Sequence, residues 1–443
     1  MRVMLLVLAL LLAGCANNAE PSEAVEAPPI VIDDVGEAPA PPAETATAAP
    51  TPEQAEPIRA KVISDEDREW EPSGAINPTD SDHYVVAYRS ASHLAFSVRV
   101  TFDAGQTWSS SRVPLVGDDT WYHHGDAVIF FSPEGRLYVG GLGGFDTTPP
   151  PGADDYRQGR SIIVAESLDG GLSWEPPVTV AQGGGSITTY GDVEQWDDFT
   201  NQDRPWFSAG ADGVILAAWN ELGHDGARTV ISGASTTPYD GNEFQFSISR
   251  DGGATWTAPE TLSHGGWPGA LVLSDGTFAL GHSSHLNGRV TLFTSSDGAS
   301  WDAQELGIGL HAAMLTEYQG DVLVSTTGVL QGDRVPAYYR VGAEVTGPWM
   351  YAAAQERSAS NHFAVDPAGG FWSMWLGQNG TVNLARFEDH NAPWPVERHV
   401  IADIEPSLGA YGDYVYTLGV GERMYVAWID LDGDDRELKV SVF

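Results

Sequence analysis

Positive charge is scarce in this sequence of 443 residues. It contains 22 Lys and Arg against 61 Asp and Glu, which gives a formal net charge of −39 at neutral pH. A field of that sign repels nucleic acid and anionic lipid headgroups. We therefore expect no nucleic-acid partner. The charge is consistent with a highly soluble surface or with one that collects cations.

Cysteine is scarcer still, since Cys15 is the only one. The folded part of the chain is therefore expected to have no disulfide and no thiol chemistry. Cys15 follows Arg2, an apolar run at 3–12 and two small residues, which is the pattern of a secretory signal peptide at 1–14. That run is too short to span a membrane. Leu12-Ala13-Gly14-Cys15 resembles the lipobox of bacterial lipoproteins, which implies lipidation of Cys15. A signal peptide that merely contains a cysteine is the alternative.

Lysine and arginine are absent from residues 16–57, which hold nine prolines and nine acidic residues. Such a composition cannot bury enough apolar surface to fold, so residues 15–57 are predicted to be a disordered tether. Ala16 stands where an inner-membrane retention signal typically has an aspartate. We therefore expect an extracytoplasmic monomer, lipid-anchored at the cell surface or outer membrane, with its folded domain at 58–443.

Turn formers and tryptophan are abundant, with 50 Gly, 28 Pro and 15 Trp in the whole chain, and this composition favours an all-β fold. A short motif recurs four times between apolar β-type runs, so each copy is predicted to join two strands of a hairpin. In it an Asp accepts backbone N–H bonds, a Gly takes positive φ, and a Trp fills apolar space between sheets. The copies, called Asp motifs below, are Thr101–Trp108, Ser167–Trp174, Ser249–Trp256 and the shorter Ser295–Trp301.

The Asp motifs resemble the Asp-boxes of the sialidase (BNR-repeat) superfamily, whose fold is a β-propeller. In that superfamily the boxes lie on outer turns, away from the ligand face. The resemblance therefore implies structural roles for the four motif carboxylates, which are Asp103, Asp169, Asp251 and Asp297.

A longer repeat is marked by a short apolar run typical of the second strand of a blade. Over residues 66–443 the average spacing of about 54 residues suits a four-stranded blade with longer loops. The seven runs begin at Val85, Leu137, Ile215, Phe278, Val322, Phe371 and Met424. We predict a β-propeller of seven four-stranded antiparallel blades, with six as the alternative because sialidases have six. The last unit shows only three strands, so residues 58–64 are predicted to supply the fourth and close the ring.

Candidate site residues follow from the propeller geometry, in which the N-terminal ends of the first strands open on the face that usually binds ligands. Tyr414 is a candidate nucleophile there. Four carboxylates are expected to converge on that face as catalytic candidates: Glu71, Asp126, Asp203 and Asp413. The candidates for substrate binding are Arg204, His124, Trp206, His311 and His362.

The converging carboxylates allow three interpretations. They are an acid and base for glycoside cleavage, or oxygen ligands for Ca²⁺, or residues that hydrogen-bond the backbone where strands begin. No other cofactor is predicted, and no transition-metal site is assigned.

The segments around Glu71, Arg204 and Tyr414 look like those of a secreted sialidase-like family, a resemblance that covers most of residues 66–443. Sialidases hold the substrate carboxylate with three arginines, the first in a Phe/Tyr-Arg-Ile-Pro segment that this chain lacks. The arginines that could be offered instead are Arg204, Arg340 and Arg386. Two hypotheses follow: a sialidase-like glycoside hydrolase that acts on glycans, or a non-catalytic propeller that binds a carbohydrate or a protein.

Overall fold

Strands make up nearly all of the regular structure in the computed structural model. It describes residues 61–64, 69–90, 95–115, 121–145, 151–223, 227–231, 241–284, 288–330, 333–350, 361–366, 368–376, 381–387, 396–403, 416–432 and 435–442. These residues belong to one structural unit and contain 31 strands and a single 3-10 turn, Ala211–Gly213. They include no helix long and apolar enough to cross a membrane. The predicted signal peptide, Cys15 and the tether lie outside the described residues.

The described strands form six sheets of four strands and one sheet of seven, and each sheet contains one four-stranded antiparallel blade. Strand β1 (Lys61–Ser64) belongs to the last blade. Blade 1 contains β2 (Glu69–Asn77), β3 (Asp80–Ser90), β4 (Ser97–Thr101) and β5 (Ser109–Arg112). Blade 2 contains β6 (Trp121–Phe131), β7 (Leu137–Phe145), β9 (Ser161–Ser167) and β10 (Val178–Ala181). Blade 3 contains β12 (Val193–Ala209), β13 (Ile215–Gly223), β15 (Gly241–Ser249) and β16 (Glu260–His264).

The remaining four blades follow the same order from the axis outward. Blade 4 contains β17 (Gly266–Val272), β18 (Phe278–Ser284), β19 (Arg289–Ser295) and β20 (Asp302–Ile308). Blade 5 contains β21 (Leu310–Tyr318), β22 (Asp321–Leu330), β23 (Asp333–Val341) and β24 (Val345–Met350). Blade 6 contains β25 (Asn361–Val365), β26 (Phe371–Leu376), β27 (Thr381–Phe387) and β28 (Glu397–Asp403). Blade 7 contains β29 (Tyr416–Val420), β30 (Met424–Asp432), β31 (Asp435–Val442) and β1.

The ring is closed by pairing the two ends of the folded chain. β1 pairs antiparallel with β31, for example Lys61 with Val440, so the first described strand is the outer strand of the last blade. The first strands of consecutive blades contact one another in order, and β29 of blade 7 contacts β2 of blade 1. The predicted seven-bladed β-propeller and its closing strand are therefore confirmed, with residues 58–60 of that strand outside the described residues.

The hydrophobic core lies between the blades. Each predicted second-strand run falls on the second strand of a blade, and the run that begins at Val85 is fully buried through Tyr88. The sequences of these strands are continuous apolar runs because each strand packs against a neighbouring blade on both faces. At the seam between blades 2 and 3, Phe130 stacks on Phe207 with ring centroids 5.4 Å apart. A Cβ on Gly140 would lie 2.2 Å from the Phe207 ring, so only glycine fits there.

Blade 3 carries an extension that four-stranded blades lack. The additional strands are β8 (Asp155–Gln158), β11 (Gly184–Tyr190) and β14 (Ala227–Ile231). β11 pairs with the N-terminal half of β12, which also pairs with β14, and β8 pairs with β11. A small core of Ile187, Trp196 and Phe199 holds this extension together. The extension therefore lies at the face of the propeller where the first strands of the blades begin.

The Asp motifs are hairpin connections, as predicted. They join the third and fourth strands of blades 1 to 4, at the face opposite to the one where the first strands begin. In the first copy, the Asp103 carboxylate accepts the Thr107 backbone N–H at 2.8 Å and the Thr107 hydroxyl at 2.6 Å. Asp169 and Asp251 make the same pair of bonds to the residue four positions later. The Trp108 indole N–H closes its turn by donating to the Gly105 carbonyl at 3.1 Å.

The Asp motifs also join neighbouring blades. Asn77 accepts from Thr79 through its carbonyl oxygen, so its amide nitrogen donates to Nδ1 of His83. His83 Nε2 then donates to the Gly170 carbonyl in the Asp motif of blade 2, at 2.8 Å. Burial lowers the pKa of His83, which keeps the ring neutral in this role.

The Asp-motif carboxylates predict an acid-labile stability. The hydroxyl and backbone bonds from Ser173 hold the pKa of Asp169 below its usual value, and those from Thr107 lower the pKa of Asp103 to about 2. A lowered carboxyl pKa stabilises the fold above pH 4, and that contribution is lost as the pH falls from 4 towards 2. We expect Asp169→Asn to lower the melting temperature at pH 7 and to flatten its decline below pH 4.

Thermal unfolding monitored by circular dichroism between pH 7 and pH 2 measures the melting temperatures of the wild type and Asp169→Asn. Asp192→Asn removes the same charge from the exposed turn between β11 and β12 and serves as the control. Equal pH profiles for the wild type and Asp169→Asn would contradict the assigned role.

Candidate functional site

Three first strands carry the same irregularity at their N-terminal ends. The register with the second strand shifts between Trp70 and Ser73 in blade 1, between Gly125 and Val128 in blade 2, and between Asp203 and Trp206 in blade 3. Each shift marks a β-bulge whose first residue has a left-handed conformation. These residues are Glu71 (φ 54°), Asp126 (φ 53°) and Arg204 (φ 52°). Such a conformation costs about 1 kcal/mol or more for a residue with a side chain, so surrounding contacts must hold it.

The bulge residues bind one another around the axis. One carboxylate oxygen of Glu71 accepts the Asp126 backbone N–H of the next blade at 2.9 Å. One carboxylate oxygen of Asp126 accepts the Arg204 backbone N–H of the blade after that, at 3.1 Å. A Cβ on Gly125 would lie 2.5 Å from the Glu71 carboxylate, so glycine is needed beside this bond. We call this chain of contacts the bulge relay.

A second set of contacts lies further along the same strands, where hydroxyl groups bind the backbone of the next blade. Ser73 accepts the Ile129 N–H at 3.0 Å, and Ser208 accepts the Val272 N–H at 2.9 Å. Thr417 closes the ring by accepting the Gly74 N–H at 3.0 Å. The inner wall of the propeller is thus held by side chains that reach backbone atoms across seams.

Three of the four predicted carboxylates do converge, but with different roles. Glu71 and Asp126 are used by the bulge relay, and the Asp126 side chain is buried. The residue that occupies their equivalent position in blade 3 is Arg204, because Asp203 still pairs with Asn220 in regular register. Asp203, which the sequence predicted to converge with Glu71 and Asp126, therefore lies one residue before the bulge position.

Asp203 is the centre of a half-buried polar group that we call the entrance cluster. Its two oxygens lie 3.7 Å from Arg160 Nη1 and 3.6 Å from Arg204 Nη1, and the three side chains keep 19–28% of their surface exposed. The Arg204 guanidinium lies 4.0 Å from the centroid of the Trp267 ring in blade 4, within cation–π range. Two guanidinium groups, one carboxylate and one indole therefore meet where the first strands of blades 3 and 4 begin.

The axial channel below the entrance cluster is narrow. Its cavity of about 160 Å³ is lined by the residues that follow the bulges and by their counterparts in blades 5 to 7, among them Val128, Trp206, Phe207, Leu315 and Phe363. Ligand pockets that enclose a drug-sized molecule are usually about 300–1,000 Å³. The predicted site residue Trp206 therefore lines a cavity that is too small to enclose such a molecule.

Several predicted site residues cannot be placed. Asp413 and Tyr414 lie outside the described residues, and so do the side chains of His124, His311 and His362, although their backbones are in strands. Within the described part of the chain, no three His, Cys, Asp or Glu side chains converge as a metal site.

The arginines offered as a triad are not brought together. Arg340 forms an ion pair with Asp321, and Arg386 lies 3.7 Å from Asp366. Both acidic residues belong to the region where the first strand of a blade turns into the second. Arg204 lies where a first strand enters the blade, at the opposite end of the strands. A triad of Arg204, Arg340 and Arg386 is therefore wrong.

The sequence matches no protein-family model and no curated protein. Solved structures with a similar chain path include a protein of unknown function from Dyadobacter fermentans, 14% identical, with a TM-score of 0.46 over 87% of this chain and 98% of that one. The NanB sialidase of Streptococcus pneumoniae is 10% identical, with a TM-score of 0.46 over 82% of this chain and 83% of the enzyme. Zg3597, a family 117 glycoside hydrolase of Zobellia galactanivorans, is 11% identical, with a TM-score of 0.37 over 75% of this chain and 89% of the enzyme. At these values the similarity assigns neither substrate nor activity to the chain.

The sequence analysis did not select Arg160 or Trp267 as site residues, and it predicted none of the three bulges. A signal for the bulge was present, because Glu71 and Arg204 each precede a proline and would align on it. Arg160 carried no such signal, since it lies just before the third strand of blade 2 and reaches Asp203 only across the seam.

The bulge relay predicts that Asp126 acts through its acceptor oxygen. Asp126→Asn keeps a carbonyl acceptor and a residue type that tolerates positive φ, so its stability should stay close to that of the wild type. Asp126→Gly relaxes the backbone but leaves the Arg204 N–H without its acceptor, and we expect a loss of about 1–3 kcal/mol in the free energy of unfolding.

Urea unfolding of both variants, followed by tryptophan fluorescence, measures the difference. If Asp126→Gly proves as stable as Asp126→Asn, the bond between Asp126 and the Arg204 N–H contributes nothing and the relay is wrong.

Proposed function

We propose that the propeller recognises a glycan that carries a carboxylate, and that the entrance cluster is its binding site. The observation that supports this is the meeting of Arg160, Arg204 and Asp203 beside Trp267 at the axial entrance. Guanidinium groups match carboxylates in geometry and charge, and a carboxylate can accept from sugar hydroxyls. Partly exposed aromatic and planar polar side chains suit a ligand that has both polar and apolar faces.

The local charge supports an acidic ligand. The chain as a whole repels anions, with a net charge of −39. In the entrance cluster, however, two guanidinium groups outnumber one carboxylate, and the left-handed backbone of Arg204 is held by the bulge relay. A fixed cation of this kind needs little reorganisation when an anionic group arrives, which favours binding.

Recognition is favoured over hydrolysis because of how the carboxylates are used. A glycosidase needs two carboxyl groups that flank the scissile bond, one of them able to donate a proton. Glu71 and Asp126 each have an oxygen bonded to a backbone N–H of the next blade, and the cavity below them is small. Asp203 is half-buried, and its oxygens lie within 4 Å of two guanidinium groups.

The proposal predicts binding that depends on Arg160. In biolayer interferometry with immobilised protein, we expect a sialylated trisaccharide or an oligogalacturonide to bind at least about tenfold more tightly than neutral lactose. Arg160→Ala should weaken binding of the acidic probe by about tenfold or more, because a charge-assisted contact is lost. Arg289→Ala removes an exposed arginine from an ion pair in blade 4 and should bind like the wild type.

Two results would overturn the proposed recognition. Equal binding by Arg160→Ala and wild type would place the site elsewhere. Turnover of fluorogenic sialosides or other glycosides that falls at least about 100-fold in Asp203→Asn would show a hydrolase with Asp203 in its chemistry.

We also propose that this domain is held outside the cytoplasm by a lipid on Cys15 and a flexible tether at residues 16–57. The lipobox-like sequence at 12–15 and the proline-rich acidic composition of the tether support this. A charged, extended linker would keep the entrance cluster away from the membrane surface.

The anchor predicts a membrane-bound protein that one substitution releases. We expect the wild type to partition into the detergent phase of Triton X-114 and Cys15→Ser to partition into the aqueous phase. Partitioning of both proteins into the aqueous phase would show that Cys15 carries no lipid.

A further inference from the structure

Two carboxylates lie directly opposite each other in blade 3. Glu221 on β13 and Glu243 on β15 are directly opposite in register, so their side chains leave the same face of the sheet. Both are half-buried, and neither forms an ion pair with any residue that the structure describes. Like charges placed directly opposite destabilise a sheet. The pair therefore needs an explanation.

Two buried glutamines border this pair. Gln202 is paired in register with Glu221 and has no exposed surface, and Gln245 is 8% exposed. The Gln202 amide nitrogen donates to Glu221 Oε2 at 2.8 Å, and the Gln245 amide nitrogen donates to Glu243 Oε2 at 3.4 Å. These bonds fix which end of each amide is the oxygen.

The amide oxygens of both glutamines are left without a partner. Oε1 of Gln202 and Oε1 of Gln245 are buried and accept no hydrogen bond within the described part of the chain. A buried acceptor without a donor is destabilising and is uncommon in folded proteins. The same face thus carries two uncompensated negative charges and two unsatisfied oxygens.

The donor set is made of oxygen alone. Besides the carboxylates and amides, the Thr261 hydroxyl lies beside the pair and donates to Glu243 Oε2 at 2.7 Å. No histidine or cysteine within the described part of the chain hydrogen-bonds to these carboxylates, although His264 on β16 is the register partner of Glu243. Carboxylate, amide and hydroxyl oxygens are the ligands of hard cations, and Ca²⁺ accepts flexible sets of 6–8 such oxygens, waters included. Two carboxylates match its charge.

From these observations we propose that blade 3 binds a calcium ion between Glu221 and Glu243, with Gln202 and Gln245 supplying amide oxygens. The ion neutralises the two opposed carboxylates and gives the two amide oxygens a partner. This location differs from the axial carboxylates expected from the sequence, where Glu71 and Asp126 bind backbone N–H groups instead.

The calcium site adjoins the entrance cluster. Gln202 directly precedes Asp203 on β12, and Glu221 directly follows Asn220, the register partner of Asp203. The ion therefore ties β12 to β13 and β15 at the point where Asp203 is presented. Binding of the ion does not depend on the proposed glycan function, because its ligands are distinct from Arg160, Asp203 and Arg204.

Terbium, which replaces Ca²⁺ in oxygen sites, provides a direct measurement on the purified full-length protein. Trp219 lies two residues from Glu221 on the same face of β13, so its excitation should sensitise Tb³⁺ luminescence. We expect a saturable signal that Ca²⁺ displaces. Glu221→Gln and Glu243→Gln should each raise the apparent dissociation constant by about tenfold or more.

Melting temperature gives the second measurement. At constant ionic strength, Ca²⁺ should raise the melting temperature of the wild type relative to EGTA, and Mg²⁺ should do so less. In EGTA, Glu221→Gln and Glu243→Gln should be at least as stable as the wild type, because the repulsion between the carboxylates is gone. A variant with this stability is folded, so the loss of its calcium response would not come from misfolding.

Glu305→Gln is the matched control, since it removes one charge from an exposed ion pair with Arg289 and should keep the full calcium response. A response that persists in both Glu221→Gln and Glu243→Gln would show general screening of an acidic surface and overturn the site. A wild type without luminescence or a melting shift would also overturn it, leaving the glutamine oxygens to buried water.

Discussion

Neighbouring blades belong to separate sheets, so no backbone hydrogen-bond ladder joins them, and the ring depends on side chains that cross its seams. At the axis, Glu71 and Asp126 bind backbone N–H groups of the next blade, and Ser73, Ser208 and Thr417 do the same further along the strands. Between the blades, apolar clusters fill the seams, and at the face away from the entrance cluster the Asp motifs join neighbouring blades. Pairing of β1 with β31 then closes the ring, since the first described strand completes the last blade.

This constraint explains why acidic residues gather at the axis without forming an obvious catalytic pair. A left-handed bulge turns a backbone N–H towards the neighbouring blade, where it needs an acceptor. A carboxylate from the preceding blade supplies one, and it also neutralises part of the partial positive charge there. Where the series reaches blade 3, the bulge residue is Arg204, which turns to the Trp267 ring of blade 4 instead. The entrance cluster thus lies at the end of this structural series, where the charges of Arg204 and Asp203 are partly exposed.

The sequence predicted the architecture well because each blade repeats a local pattern. Continuous apolar runs such as 85–88 mark strands buried on both faces, and the Asp motifs mark the turns between third and fourth strands. The site was predicted less well, because it depends on relations between repeats. Arg204 is in the bulge and Asp203, one residue earlier, is not. Neither the periodicity nor the composition of the sequence distinguishes these two positions. Arg160 and Asp203 are 43 positions apart and meet only across the seam of blades 2 and 3.

Blades 1 to 3 contain two kinds of acidic pair. Glu71 and Asp126 lie close together, yet each faces a backbone N–H, so their charges are compensated within the fold. Glu221 and Glu243 face amide nitrogens and a hydroxyl, which are weaker donors than a guanidinium or ammonium group. The glutamine oxygens next to them accept no hydrogen bond from the residues that the structure describes. Uncompensated charge and an unsatisfied buried oxygen are each destabilising, so their occurrence together favours a ligand that satisfies both. A hard divalent cation does so in one step, whereas water would supply donors but leave the two negative charges opposed.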